Sequence, residues 1–275
     1  MLQIPFPSQP LKTSHLFTIL AYVLQIKKQP TLCWIEEHQP LPDPAYAWGQ
    51  SSHSPGLLAA GEDLSTGRLR EAYSKGIFPW YSESQPVLWW STDPRMVLMV
   101  DQFRIHHSFK KTLTAFIKNP RCEIRIDSDF PSVIRNCAKR PPKANQEIAG
   151  TWILPEMQQT YSQANQEGFV HSVETWIDGL LVGGLYCVSL GKAVFGESMF
   201  SLQKDASKIA LAALVAFCRA HEIELIDCQQ NTSHLASLGA YEIARSEFIE
   251  SIRVSQQKPS PTWKFQPEFW SELFT

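Results

Sequence analysis

Between Val182 and Gln230 the spacing of apolar and polar positions changes period twice. Two β-rich runs, Gly184–Val188 and Ala193–Phe195, flank a short turn at Ser189–Lys192, which predicts a hairpin. Glu197 follows the second run. From Asp205 the period lengthens: Leu211, Leu214, Val215 and Cys218 keep the i, i+3, i+4, i+7 spacing of one helical face. Asp205 is placed to cap that helix, and Lys208 projects from its first turn. A third strand over Glu224–Ile226 runs into Asp227, Cys228 and Gln229. Strand, helix, strand implies a right-handed crossover, and polar residues at the carboxyl end of such a strand lie where ligands often bind.

Elsewhere the pattern predicts a short strand at Cys33–Ile35. A helix capped by Ser65 follows, with Leu69, Ala72 and Tyr73 inward and Gly76 as its stop. Trp80 follows a proline and precedes a polar loop, so it faces either a core or a cleft. Trp89 and Trp90 read as core. A strand over Met96–Val100 opens a second domain, and a helix starting at Arg104 runs through Ile117. Arg125–Asp127 reads as a strand. Pro131–Ala138 reads as a helix with Phe130, Val133 and Ile134 inward, and another helix from Pro155 turns Met157, Tyr161 and Ala164 to one face. Two strands, His171–Trp176 and Leu180–Val182, flank Asp178-Gly179, a strong hairpin signal. A short helix ends at Gly239, a strand or helix spans Ile243–Ile252, and the tail carries Trp263, Phe265, Phe269 and Trp270 as anchors.

Composition narrows the class. With 44% apolar and 19% charged residues in a 275-residue chain, an ordinary soluble globular protein of one or two domains is expected. The net charge of −2 supplies no global basic field, so any nucleic-acid contact must be a local patch. Arg104, His107, Lys110 and Lys111 form the best candidate, against the commoner reading of a solvated face. The six cysteines include no Cys-x-x-Cys pair and no histidine at ligand spacing, so neither a disulfide framework nor a metal site is expected, and a reducing cytosol fits. Cys187 and Cys218 read as small core residues. The apolar run of residues 15–26 is shorter than the ~20 residues a membrane span needs and lacks a cleavage site, so a short helix or arm is expected there and no membrane partner.

Nine motifs, in order, resemble the leucyl/phenylalanyl-tRNA–protein transferase family. They are Gly56–Leu64, Gly76–Trp80, Leu88–Arg95, Gly150–Ile153, Leu181–Tyr186, Phe195–Ser201, Ala206–Lys208, Ile226–Gln229 and His234–Ala240, and the resemblance covers roughly residues 32–255. It implies an α+β protein: an extension of uncertain order over 1–31, a small N-terminal α/β domain over 32–94, and a catalytic domain over 95–275 resembling the N-acetyltransferase fold. It implies a cytoplasmic, monomeric enzyme of the N-end rule pathway that moves Leu or Phe (less well Met) from leucyl-tRNA or phenylalanyl-tRNA to proteins beginning with Arg or Lys. No cofactor is implied, because the ester is already activated. The rival is a CoA-dependent N-acetyltransferase on the same fold. Against it, Ser201–Ala206 stands where a Gln/Arg-x-x-Gly-x-Gly/Ala loop would hold the CoA pyrophosphate.

By resemblance Asp227 and Gln229 form the catalytic pair, Asp227 accepting from the Gln229 amide and the Gln229 carbonyl orienting the amine. Glu197 is expected to hold the N-terminal Arg or Lys, or its ammonium, with a structural salt bridge as the equal alternative. Leu185, Met199, Leu211, Leu214, Cys218 and Ile226 are candidates for the aminoacyl pocket, and half of them for plain core. Trp80 and Trp152 are candidates for stacking on the terminal adenine or for walling the pocket. Arg104, His107, Lys110 and Lys111 would meet acceptor-stem phosphates. The chain departs from the family pattern at His107 (commonly Arg), Glu62 (usually Gly), Thr92 (usually Pro), and Leu214 and Cys218, where aromatics can occur.

Overall fold

The computed structural model of the chain describes residues 31–139 and 153–274. The expectations for the N-terminal arm, for the loop beyond Lys139 and for Trp152 lie outside the described residues. Two sheets organise the rest. The smaller has the order β1-β2-β4-β3, built from Cys33–Ile35, Leu57–Gly61, Val87–Trp90 and Phe78–Pro79 respectively. Its helix, α1 (Thr66–Ser74), begins where the Ser65 side chain accepts from the Arg68 amide at 3.2 Å. Leu69, Ala72 and Tyr73 are buried, and Gly76 leaves the helix at φ 71°, both as the spacing predicts. Strand β2 was not anticipated, because Leu57–Gly61 is buried at every position and shows no alternation.

The larger sheet has seven strands in the order β11-β5-β10-β9-β8-β7-β6. These are β5 (Arg95–Met99), β6 (Cys122–Ile126), β7 (Val170–Ile177), β8 (Leu180–Leu190), β9 (Ala193–Ser201), β10 (Leu225–Gln229) and β11 (Tyr241–Ile243). Only β9 and β10 run parallel, joined by the crossover helix α5 (Ala206–Ala220); the other pairs are antiparallel. With α2 (His107–Lys118), α3 (Phe130–Ala138), α4 (Pro155–Gln166), α6 (Ser233–Ser237) and α7 (Arg245–Ser255), this is the α+β class the sequence implies.

Period-two alternation sorts the strand residues between two cores. Met96, Leu98, Leu185, Cys187, Val194 and Ile226 join α5, α2 and the C-terminal aromatic tail on one face. Val97, Tyr186, Val188 and Phe195 join α3, α4, α7 and the small sheet on the other. That second core is continuous from Trp89 and Tyr73 to Phe195, so the two sheets share one apolar cluster. The tail docks through Trp263, whose ring stacks 4.1 Å from His171 and 4.6 Å from Phe217.

Several local expectations are corrected. The runs at 180–182 and 184–188 are one strand, because Gly183 and Gly184 lie inside β8, where neighbours crowd them: a Cβ at Gly183 would meet the Ala206 carbonyl carbon at 2.7 Å. Asp205 does not cap α5; it sits at φ 62° with no capping hydrogen bond and pairs with Lys208 at 2.9 Å instead. Helix α2 starts at His107 rather than Arg104, and β6 begins at Cys122 and stops before Asp127. Residues 243–252 contain both a strand end and a helix. Among the described residues no helix is long and apolar enough to cross a membrane.

Candidate active site

Strands β9 and β10 pair at only two positions, Val194 with Ile226 and Phe195 with Asp227. Beyond them β9 stays with β8, and the carboxyl ends of β9 and β10 part. A cleft of about 1550 Å³ opens there, closed on its other sides by Phe78–Trp80, the Ser82–Gln85 turn, the start of α4, and residues of α5 and α6. Its wall includes Trp80, Leu185, Glu197, Met199, Leu211, Leu214, Ile226 and Gln229, so most of the residues singled out in the sequence converge on one space. Cys218 does not line it; it is fully buried among core residues of α5.

Asp227 lies behind the wall. It alternates with Ile226 and so turns from the α5 core toward the small sheet. There both its oxygens meet Arg95, Nε at 2.7 Å and Nη2 at 2.6 Å, and both side chains are fully buried. A buried carboxylate needs such a partner, since desolvating an isolated charge is prohibitive. The guanidinium sits 4.8 Å from the Phe78 ring centre and 4.5 Å from that of Phe248. Asp227 Oδ1 also accepts the Gln229 amide proton at 3.0 Å. The strand is bulged at this point, and Gln229 adopts φ 55°, a left-handed conformation uncommon for glutamine. Thr92 Oγ1 donates to the backbone carbonyl oxygen of Gln229 at 3.0 Å and helps hold it. Such backbone strain, about 1–3 kcal/mol, persists where the surroundings over-determine it.

The Gln229 side chain is set by two carboxylates. Its Nε2 lies 3.4 Å from Asp227 Oδ2 and 3.4 Å from Glu197 Oε1, which turns the amide carbonyl away from both. Glu197 reaches this position through a second bulge. Tyr186 pairs with Ser198 and Cys187 with Gly196, leaving Glu197 as the extra residue of β9. Its other oxygen accepts from Tyr161 at 3.3 Å, and the Tyr161 hydroxyl meets that of Tyr73 at 2.6 Å. Burial pushes the Glu197 carboxyl up to about 7, and the Asp227 charge adds to the rise; the two tyrosine hydroxyls and Arg95 pull the other way. The equally weighted alternative for Glu197, a structural salt bridge, is not what the structure has: its partners are hydroxyls and an amide.

Glu83 and Glu156 also line the cleft, Glu156 accepting from Tyr81 at 2.6 Å, and among the described residues no Lys or Arg does. Trp80 is 40% exposed, its ring 5.4 Å from that of Trp90, while Trp89 is fully buried. The four basic candidates are elsewhere. Arg104, His107, Lys110 and Lys111 are exposed on and just before α2, and the last three line a separate depression of about 380 Å³.

Sequence reasoning gave no role to Arg95, Tyr73, Tyr161, Thr92 or Glu156. One signal was available: an aspartate closing an apolar strand requires a buried cation. The pattern could not say which, because Arg95 is 132 positions away.

The profile of a family described as leucyl/phenylalanyl-tRNA protein transferase matches residues 97–253, and that of its N-terminal domain matches residues 62–93. A leucyl/phenylalanyl-tRNA–protein transferase of a Polaromonas species is 55% identical over 242 residues, 88% of this chain and 94% of that protein. One from Methylibium petroleiphilum is 57% identical over 235 residues, 85% and 88% of the two chains. One from Burkholderia pseudomallei is 53% identical over 232 residues, 84% and 90%. Among solved structures, a GCN5-related N-acetyltransferase from Kribbella flavida aligns at TM-score 0.31 and 9% identity over 65% of this chain and 61% of that one, a likeness too slight to build on.

Proposed function

The chain belongs to the leucyl/phenylalanyl-tRNA–protein transferase family, and on that premise we propose that the cleft is where the aminoacyl ester of a tRNA meets the N-terminal amine of an acceptor protein. The enzyme is an aminoacyltransferase, moving Leu or Phe from tRNA to protein. The observation that carries the site is Gln229: strained, wedged between two carboxylates, with its side-chain carbonyl turned away from both at the wall of the cleft.

An α-amino group titrates near ~7.7–8.0, so a useful fraction is neutral at physiological pH. Holding it against the ester can supply ~7–11 kcal/mol when the geometry is right. The Gln229 carbonyl accepts one N–H of the amine and aims its lone pair. Asp227, locked by Arg95, holds Gln229 in place. Leu185, Met199, Leu211, Leu214 and Ile226 receive the Leu or Phe side chain, Met199 adapting to either shape. Trp80 stacks on the terminal adenine, and Trp152 stands as its proposed companion by resemblance. Arg104, His107, Lys110 and Lys111 take acceptor-stem phosphates, contacts that carry little sequence information and so admit both tRNAs.

Glu197 holds the amine of the acceptor. The three carboxylates of the cleft, without a lysine or arginine among its described lining, favour acceptors that begin with Arg or Lys. We take the chain as a cytoplasmic monomer serving N-end rule degradation, with residues 32–94 contributing Trp80 and residues 95–275 the catalytic pair. The test mixes purified protein with leucyl-tRNA labelled on Leu and peptides beginning with Arg, Asp or Ala. Label is expected in the Arg peptide alone; label in none, with folded protein and charged tRNA, refutes the reading.

A further inference from the structure

Gln229 orients the amine, but an amide is too weak a base to take its proton, and the step needs an acceptor within hydrogen-bond reach. Among the described residues three carboxylates line the cleft. Glu83 lies in the exposed turn at its rim, and Glu156 is bound to Tyr81 at the start of α4. Asp227 is fully buried, with both oxygens on Arg95, and is not part of the lining. Glu197 alone combines a place in the cleft wall with contact to Gln229.

We propose that Glu197 is the proton acceptor of the transfer step. The inference rests on the transfer reading above and gives Glu197 a second task there. As the acceptor nitrogen bonds to the ester carbonyl, the amine releases a proton to the Glu197 carboxylate. As the bond from that carbon to the terminal ribose oxygen breaks, Glu197 returns a proton to the departing oxygen. One C–N bond forms, one C–O bond breaks, the proton moves from nitrogen to oxygen, and Glu197 ends as it began.

The surroundings of Glu197 suit this role. Tyr161 from α4 donates to it, and Tyr73 from α1 continues the chain. Tyr186 from β8 presents a buried hydroxyl with no hydrogen-bond partner among the described residues, and Cys187 is its neighbour on the strand. Asp227 and Gln229 face Glu197 from β10, and Arg95 from β5 answers the charge of Asp227. Asp227 thus has a guanidinium to itself, and Glu197 has none. Two neighbouring carboxylates in such unequal environments divide the structural and proton-transfer tasks between them. Glu197 is brought to about 7 chiefly by its burial, close to the amine it serves. Tyr161 and Tyr73 are positioning residues that steady the ionised form.

The sign follows from the rise: the carboxylate is ionised above its folded-state value, and base catalysis is lost as pH falls through about 7. The experiment measures single-turnover transfer from enzyme-bound leucyl-tRNA to saturating Arg-initiated peptide across the neutral range. Wild-type enzyme shows a limb near 7, distinct from the limb of the amine itself at ~8. Glu197→Gln loses the first limb and slows about 10²–10⁴-fold, with leucyl-tRNA binding unchanged. Tyr161→Phe, which removes a hydrogen bond to the charged form, moves the limb to higher pH; a merely structural role for Tyr161 would not. The proposal is overturned if Glu197→Gln keeps the limb and the wild-type rate at saturating peptide with only the peptide KM raised. It is equally overturned if the Tyr161→Phe limb stays in place, the decisive result should Glu197→Gln fail to fold. Absence of transfer by the wild type itself would instead remove the transfer reading beneath it.

Discussion

Arg95→Met tests whether the buried ion pair is the keystone beneath the catalytic turn. The guanidinium lies between the Phe78 and Phe248 rings, 4.8 and 4.5 Å from their centres, and methionine can fill that slot without a large void. What it cannot do is answer the Asp227 charge, which is fully buried. Removing one partner of a buried pair costs about 3–5 kcal/mol, because the other charge is left uncompensated. Against a total stability of roughly 5–15 kcal/mol, that is a large fraction. For a domain of this size about 2–4 °C is lost per kcal/mol, so the midpoint of thermal unfolding should drop by roughly 6–20 °C. Thermal melts, with wild type alongside, read the effect. Replacing both partners, Arg95→Met with Asp227→Leu, should recover most of the stability while transfer is lost, since Gln229 no longer has its anchor. A single variant within about 1 kcal/mol of wild type would refute the reasoning.

Other substitutions separate the remaining parts. Trp80→Ala should raise KM for leucyl-tRNA roughly 5- to 150-fold, the equivalent of about 1–3 kcal/mol of lost stacking, with KM for the peptide unchanged in steady-state transfer. Lys110→Ala with Lys111→Ala should weaken tRNA binding and flatten the plot of log affinity against log salt by roughly 0.7–0.9 per contact removed. Filter binding at several salt concentrations checks it. Gly183→Ala sets a Cβ against Ala206, 2.7 Å from its carbonyl carbon, at the start of α5; a loss of about 1–3 kcal/mol in thermal or urea unfolding is expected.

The elements legible in the chain are those with local causes. The stripes of α1, α3 and α4, the Ser65 cap and the Asp178-Gly179 turn each arise within a few residues and emerge as expected. The crossover over 193–229 did as well, because its change of period is carried by neighbouring positions. The nine motifs were enough to name the family and most of the cleft wall.

What the chain order could not express is which distant side chains meet. Phe195 and Phe200 face the same core although five positions apart, an odd interval that requires the bulge at Glu197. The Arg95–Asp227 pair spans 132 positions, and Tyr73–Tyr161 spans 88. The first is decided by how two strands come into register and the second by how two helices pack, each from separate parts of the chain. Periodicity and turn chemistry, being short-range, determined the elements and the residue types available for catalysis. The register shifts, and the burial that leaves Glu197 with hydroxyl and amide partners while Arg95 pairs with Asp227, are properties of the assembled core, and only the tertiary structure decided them.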